Sequence, residues 1–272
     1  MLAAGLGLGL AGVGCGSYAR LLEPRWFDVE EVTVPLVRLP QSLDGLTIAH
    51  LSDLHLGPYL GAAELAHAVE MAQQLRPQLV VISGDFVSRG GEWQRAEMLA
   101  PLAALQAPLG VFAVLGNHDH WTNAAWVTVA VQRLGITVLS NGAQQLSDAT
   151  QGLWLVGVDD IWVGAEDLPR ALSGVPDSAC RLLLVHEPDF ADKAARWGID
   201  LQLSGHSHGG QVRLPLVGAP LLPLWGQKYP IGLQRAGDTW VYTNRGLGVI
   251  EPPVRFNCRP EVTLLTLKMV TN

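Results

Sequence analysis

Short apolar runs recur along this chain, and most of them stop at a small cluster of polar residues. Leu46-Thr47-Ile48-Ala49-His50-Leu51 runs into Ser52-Asp53-Leu54-His55. Leu79-Val80-Val81-Ile82 runs into Ser83-Gly84-Asp85, and Gly110-Val111-Phe112-Ala113-Val114-Leu115 into Gly116-Asn117-His118-Asp119. Runs of this length and composition read as buried strands. Between and after them, Ala62 to Leu75, Glu92 to Leu105 and Asn123 to Leu134 have helical spacing. Pro108 stops the second helix and Gly135 the third. Strand alternating with helix predicts a parallel sheet covered by helices, with ligands gathering beyond the carboxyl ends of the strands.

The second half is richer in strands. Ile136 to Leu139 and Leu153 to Val158 are candidates, and Asp159-Asp160 after the latter reads as a solvated turn in preference to acids that reach the site. Arg181 to Val185 is a buried strand that delivers His186, followed by Glu187-Pro188. Ile199 to Leu203 leads into Ser204-Gly205-His206-Ser207-His208-Gly209-Gly210-Gln211. Gln211 to Leu214 and Asp238 to Thr243 look like strands of a second sheet, and Val262 to Leu267 is a closing strand. Glu30 to Leu36 alternates as a strand near the start, closed by Pro40. Asp53 and His55, like His206 and His208, stand two residues apart. In extended backbone such side chains leave on the same side.

Two stretches break the pattern. Met1 to Ala19 has no charged side chain and is mostly Ala, Gly, Leu and Val, with Arg20 and Arg25 after it. It falls between a spanning helix of about 20 residues and a signal core of about 7–15. We read residues 1–20 as a membrane anchor or the remnant of an export signal, 21–45 as a linker and first strand, and 46–272 as the main domain. Leu214 to Ile231 mixes prolines and glycines with Leu216, Val217, Leu221, Leu222, Leu224, Trp225 and Tyr229. It cannot be a regular helix. It reads either as a loop packed on its own domain or as an apolar flap for a lipid-bearing substrate or a bilayer surface.

Composition narrows the field. At 49% hydrophobic and 16% charged the chain folds rather than staying disordered. A net charge of -7 argues against nucleic acid as a partner. Cys15, Cys180 and Cys258 are far apart and form no CxxC pair, which excludes a disulfide framework and a zinc ribbon.

The strand-end residues Asp53, His55, Asp85, Asn117, His186, His206 and His208 form a mixed oxygen and nitrogen set. Such a set suits Mn, Fe or Zn better than Ca or Mg. Seven ligands are too many for one ion, whereas a carboxylate bridging two cations divides them sensibly. Sites with two metals about 3.5–4 Å apart serve phosphoester hydrolysis. Asp53 and Asp85 bring only two negative charges, so two divalent cations leave a positive site that suits a phosphate anion.

Asp53-x-His55, Gly84-Asp85, Gly116-Asn117-His118-Asp119, His186 and Gly205-His206-Ser207-His208 stand in the order found in the calcineurin-like metallophosphoesterases, which the chain resembles from Leu46 to Leu267. Gly209 to Arg213, Lys228-Tyr229 and Arg245-Gly246-Leu247-Gly248 look like the membrane-associated branch. That branch includes phosphodiesterases and the pyrophosphatases that cleave UDP-2,3-diacylglucosamine in lipid A synthesis. The resemblance implies an α/β fold, a four-layer αββα sandwich of two mixed sheets flanked by helices. It implies that Asp53, His55, Asp85 and His208 hold one divalent transition-metal ion and that Asp85, Asn117, His186 and His206 hold the other. It further implies attack on a phosphodiester or pyrophosphate by a hydroxide bridging them, with His118 protonating the leaving oxygen or stabilising charge. Asp119 either orients His118 or caps the helix starting there. His50 and His120 read as satisfied structural residues and His67 as a surface residue. Val249 to Pro253 departs from the family pattern, which bears on the substrate pocket rather than the metals. The implied partners are a phosphodiester or nucleotide-lipid substrate and a membrane surface, with no protein partner. A phosphomonoesterase or nucleotidase is the alternative enzyme. A non-catalytic metal-bearing scaffold would have lost ligands or His118, and none is missing.

Overall fold

The computed structural model describes residues 14–88, 96–147 and 152–271. Among these, twelve strands form two six-stranded sheets. In the first sheet β1 (Asp28–Leu36), β12 (Glu261–Met269), β2 (Thr47–Leu51), β3 (Leu79–Ile82), β4 (Val111–Ala113) and β5 (Thr137–Val138) lie side by side. The second runs β10 (Gly232–Ala236), β11 (Thr239–Thr243), β9 (Leu201–Ser204), β8 (Cys180–Leu184), β7 (Leu153–Gly157) and β6 (Gly142–Gln145). Strands β2 to β5 are mutually parallel, as are β7, β8, β9 and β11. β12 pairs antiparallel with β2 and parallel with β1, so the closing strand completes the first sheet.

Alternation along the strands builds the layers. Ile48, Leu79, Val81, Leu182, Leu184, Leu201, Leu203 and Leu265 meet in the core between the sheets. On the outer face of the first sheet, Ala49, Leu51, Val80 and Ile82 pack under α1 (Ala62–Gln74) and a later helix, through Leu65, Val69, Val127 and Val131. Val156, Leu183 and Val185 do the same on the second sheet against Leu168, Phe190 and Ala194. The result is the expected αββα sandwich of mixed sheets.

Further α-helices position the loops: α2 (Ala96–Leu99), α3 (Asn117–Thr122), α4 (Ala124–Gln132), α5 (Leu168–Ala171) and α6 (Ala191–Ala194). α4 starts where the sequence places it, with the Asn123 side chain accepting from Trp126 N at 3.0 Å. The helix expected over Glu92 to Leu105 is α2 followed by a 3-10 stretch, Ala100–Ala104, and residues 92–95 lie outside the described residues. Gln211 to Leu214 is not a strand. Gln211 has φ 55°, which ends any extended run, and Val212 and Leu214 make only isolated bridges. Residues 1–13 of the expected anchor lie outside the described residues. Among the described residues no helix is long and apolar enough to cross a membrane.

Candidate metal centre

All seven candidate ligands meet where the parallel strands of the two sheets end. Asp53 and His55 follow β2, Asp85 follows β3, and Asn117 opens α3 beyond β4. His186 follows β8, and His206 and His208 follow β9. The cluster therefore straddles the seam between the sheets, and all seven side chains are buried.

The backbone that presents them is unusual. Asp53, His55, Asp85, His206 and His208 have φ of 48°, 44°, 55°, 67° and 52°, the left-handed region that non-glycine residues rarely adopt. Residues held this way concentrate at functional sites, where the surroundings over-determine them. Here Asp53 N donates to Gly84 O at 3.0 Å and His55 N to Asp85 O at 2.9 Å. This corrects the expectation of a shared side for His206 and His208, whereas Asp53 and His55 do turn to one another. The turns begin where the strands stop, and positive φ breaks the alternation. His206 Nδ1 lies 3.1 Å from Asn117 Oδ1, whereas His208 Nε2 lies 3.0 Å from His55 Nε2.

Two sub-clusters result. In one, His208 Nε2 is 3.4 Å and His55 Nε2 3.8 Å from Asp53 Oδ1. In the other, His186 and His206 face each other with ring centroids 4.9 Å apart, beside Asn117. Asp85 Oδ2 lies between them, 3.3 Å from His55 Nε2 and 3.2 Å from His186 Nε2. Its other oxygen accepts from His118 N at 2.9 Å.

Donor and acceptor bookkeeping tests whether cations fit. His186 Nδ1 donates to Ser83 O at 2.7 Å, which leaves Nε2 as the ring atom turned to the centre, with a lone pair there when the ring is neutral. That atom is buried with no hydrogen-bond partner among the described residues, and it faces a carboxylate oxygen. His206 Nε2 donates to Leu224 O at 2.8 Å, so its Nδ1 turns a lone pair toward Asn117 Oδ1. Metal-ligating histidines commonly give their other N–H to a carbonyl in this way. Acceptors converging on acceptors call for a positive centre between them.

The electrostatics agree. Burial pushes His55 and His206 down to about 3, and it holds His208 well below the ordinary value, so these imidazoles are neutral. Burial raises Asp53 to about 6 against the pull of His186. Burial also works against charge on Asp85 and on His186. Their mutual attraction outweighs it, holding Asp85 well below the carboxylate range and His186 well above the imidazole range. A divalent cation at that point would satisfy the same carboxylates.

His118 stands beside this centre. Its ring meets that of His55 edge-on at 4.7 Å and lies 4.8 Å from Trp121. Asp119 is buried and accepts from Gly116 N at 3.1 Å and Val87 N at 3.2 Å, which fixes the turn that carries Asn117 and His118. His120 is paired with Asp159 at 2.7 Å and His67 is exposed against Phe27. His50 is buried and starts a relay. Its Nε2 lies 2.8 Å from Ser83 Oγ, Ser83 donates to Ser52 Oγ at 2.7 Å, and Ser52 donates to Asp53 Oδ2 at 2.6 Å.

Several contributors are not evident from sequence. Ser52 directly precedes Asp53 and Ser83 stands two residues before Asp85, and that proximity is the one signal available. Arg255 is fully buried and donates to the carbonyls of Arg245, Gly246, Gly248 and Cys258, bracing the turn that lies against Asp53. Asp160 is not in a solvated turn. It is buried and accepts from Val163 N at 2.9 Å. Next to His208 opens an apolar cleft of about 300 Å³, lined by Gln211, Val212, Leu221, Leu222, Ile250 and Val254. The divergent segment Val249 to Pro253 forms part of its wall, with Glu251 held by the Tyr59 hydroxyl.

Residues 46–210 match the family model described as calcineurin-like phosphoesterase. Along 261 residues the chain is 38% identical to the metallophosphoesterase YkuE of Bacillus subtilis, covering 95% of this chain and 91% of that protein. It is 33% identical over 257 residues to the phosphodiesterase YaeI of Escherichia coli, covering 92% of each. It is also 36% identical over 259 residues to a bovine transmembrane protein with metallophosphoesterase domain, covering 88% of this chain but 57% of that one. The strand-end motifs, the sandwich that gathers them and these matches agree: the chain belongs to the calcineurin-like phosphoesterases, a family of hydrolases of phosphoric esters that work with a dinuclear divalent metal centre.

Proposed function

We propose that this chain hydrolyses phosphodiester or pyrophosphate bonds of a lipid-bearing substrate at a membrane surface. One cation position is made by Asp53, His55, Asp85 and His208, and the other by Asp85, Asn117, His186 and His206. The observation that carries the assignment is the convergence of ring nitrogens on Asp85, with His55 Nε2 and His186 Nε2 at 3.3 and 3.2 Å from the same carboxylate oxygen. Bound there, two divalent cations supply Lewis acidity toward phosphoryl oxygens and lower the pKa of water to a usable range. His118 reaches into the same space from the helix side and gives a proton to the leaving oxygen. Asp119 is a positioning residue, acting through the turn it caps.

The lipid part of the reading rests on the loop from Leu214 to Ile231. Its second half is anchored: Leu224 O holds His206, and the Asp189 carboxylate takes the N–H groups of Gln227, Lys228 and Tyr229. Its first half projects into solvent, with Leu216 fully exposed, Val217 70% exposed and Leu221 80% exposed. A run of bare aliphatic side chains beside an apolar cleft suits acyl chains and bilayer surface. The uncharged Met1 to Ala19 stretch and the transmembrane relative support the same reading.

The test is metal reconstitution. Chelated protein should lose phosphodiesterase activity and regain it with Mn²⁺ or another transition metal. Asp85→Ala should lose metal by elemental analysis. His118→Ala should keep it while turnover falls about 10²–10⁴-fold. Full activity in protein shown to be metal-free would overturn the proposal.

A further inference from the structure

The mouth of the centre carries two tryptophans that the proposed hydrolysis does not use. Trp121 lies on α3, one turn beyond Asn117, and Trp162 lies in the turn after β7. They meet edge to face with ring centroids 5.6 Å apart. Trp121 also packs 4.8 Å from His118, and Trp162 packs 5.6 Å from His206. The four rings form an arc from the proposed proton donor to a proposed metal ligand. Trp121 and Trp162 remain 37% and 38% exposed. Single exposed aromatics are ordinary on a surface, but two in contact at the rim of a reaction centre are not scattered at random.

The arc is held rigidly. Asp119 caps α3 through Gly116 N. The Trp162 turn hangs on the buried Glu187 carboxylate, which accepts from Trp162 N at 3.2 Å and from Ile161 N at 3.4 Å. Among the polar groups nearby, Asp159 is held by His120 and Ser140 and Asp160 Oδ1 by Val163 N, while Thr122 Oγ1 and Asp160 Oδ2 are buried with no hydrogen-bond partner among the described residues. The flanking side chains, Ile161 and Val163, are apolar. A sugar needs polar groups to read its hydroxyls. A flat aromatic ring needs only faces and edges.

We infer that Trp121 and Trp162 form a stacking platform for a nucleobase on the side of the substrate next to His118. Resting on the hydrolase reading, this makes the pair a specificity determinant. Bases stack on aromatic side chains with little regard to sequence, because every base has a π-face.

The experiment uses the metal-loaded full chain and two diesters that differ only in the base, the methyl ester of adenosine 5′-phosphate and the methyl ester of ribose 5-phosphate. The quantity read is the ratio of their kcat/KM values. In wild type it should favour the nucleoside ester. In the Trp121→Ala, Trp162→Ala double variant the ratio should fall about five- to a hundredfold, through KM. Phe at both positions keeps a flat face and should restore most of it. A wild-type ratio of one, or a ratio unmoved in a double variant with wild-type metal content, overturns the inference. If neither ester turns over, hydrolysis of an aryl phosphodiester decides the hydrolase reading separately, and calorimetric titration with adenosine 5′-monophosphate decides the platform. A Kd weakened by Ala and recovered by Phe upholds it, and a Kd indifferent to both overturns it.

Discussion

Gly205 joins β9 to His206, and the absence of a side chain there lets two loops from different sheets touch. A Cβ built at this position would lie 1.8 Å from Ser52 Oγ, 2.1 Å from Asp53 Oδ2 and 2.8 Å from Ser52 Cβ. The hydroxyl and carboxylate can rotate away, but a Cβ cannot, so Gly205→Ala must push the loops apart. Overpacking of this kind costs about 1–3 kcal/mol. At about 2–4 °C per kcal/mol for a domain of this size, the metal-free Tm should drop by about 2–12 °C. The residue displaced is Asp53, whose two oxygens accept from His206 N at 3.1 and 2.9 Å. Its Oδ1 lies 3.4 Å from His208 Nε2, so the substitution should also weaken one cation position. A cation at a hundred times its Kd adds about 2.7 kcal/mol, or about 5–11 °C on the same scale. Thermal unfolding of chelated and Mn²⁺-titrated protein separates the two effects. Gly205→Ala should show both a lower metal-free Tm and a smaller rise with metal. A variant that keeps the full wild-type rise would refute the link from Gly205 through Asp53 to the cation. One that also keeps its metal-free Tm would refute the steric argument itself.

Two further outcomes are expected. Replacing Leu216 and Leu221 with Ser should lower kcat/KM for a lipid-linked diester relative to a small aryl diester by about ten- to a hundredfold for each leucine buried, since each burial is worth about 1.5–3 kcal/mol. Equal loss on both substrates would reduce the loop to a structural element. The hydrogen bond from His120 to Asp159 holds the imidazole above its ordinary 6.5. Burial works against the Asp159 charge, but the bonds from His120 and Ser140 hold that carboxyl below its ordinary range. The pair's stabilisation is therefore complete below the unfolded histidine value and above the unfolded carboxyl value. It fades as pH rises through the raised His120 value, or falls through the lowered Asp159 value. Titrating the His120 ring by NMR in Asp159→Asn should show a lower value, and an unchanged one would contradict the pairing.

The strand-end motifs were legible because burial and chemistry sit next to each other in this chain. A parallel strand covered on both faces must be apolar along its length, so the first polar residues after it mark its carboxyl end. Runs such as Leu79 to Ile82 followed by Asp85 carry that boundary openly. The helix from Asn123 is readable for a similar reason, since its cap is a side-chain property. The edge strands of the second sheet are not. β6 is Gly-Ala-Gln-Gln and β10 is Gly-Leu-Gln-Arg-Ala, and with one edge in solvent neither needs the apolar alternation that identifies a strand. Gln211 to Leu214 errs the other way, since its pattern is strand-like while the φ of Gln211 turns the chain aside.

What the sequence determined by itself is therefore the parallel strands covered by helices and the inventory of polar residue types at the strand ends, while the four layers came with the family resemblance. The tertiary structure alone decided which atoms face one another. Asp85 comes between His55 and His186 only because β3 and β8 lie in different sheets that end at one seam. His206 and His208 part company because both residues take positive φ, a strained state that distant hydrogen bonds sustain. Trp121 and Trp162 meet across that same seam. Local composition records whether a residue can bind, stack or hold a charge. Contact between residues far apart in the chain depends on sheet order and packing, which no short window of sequence contains.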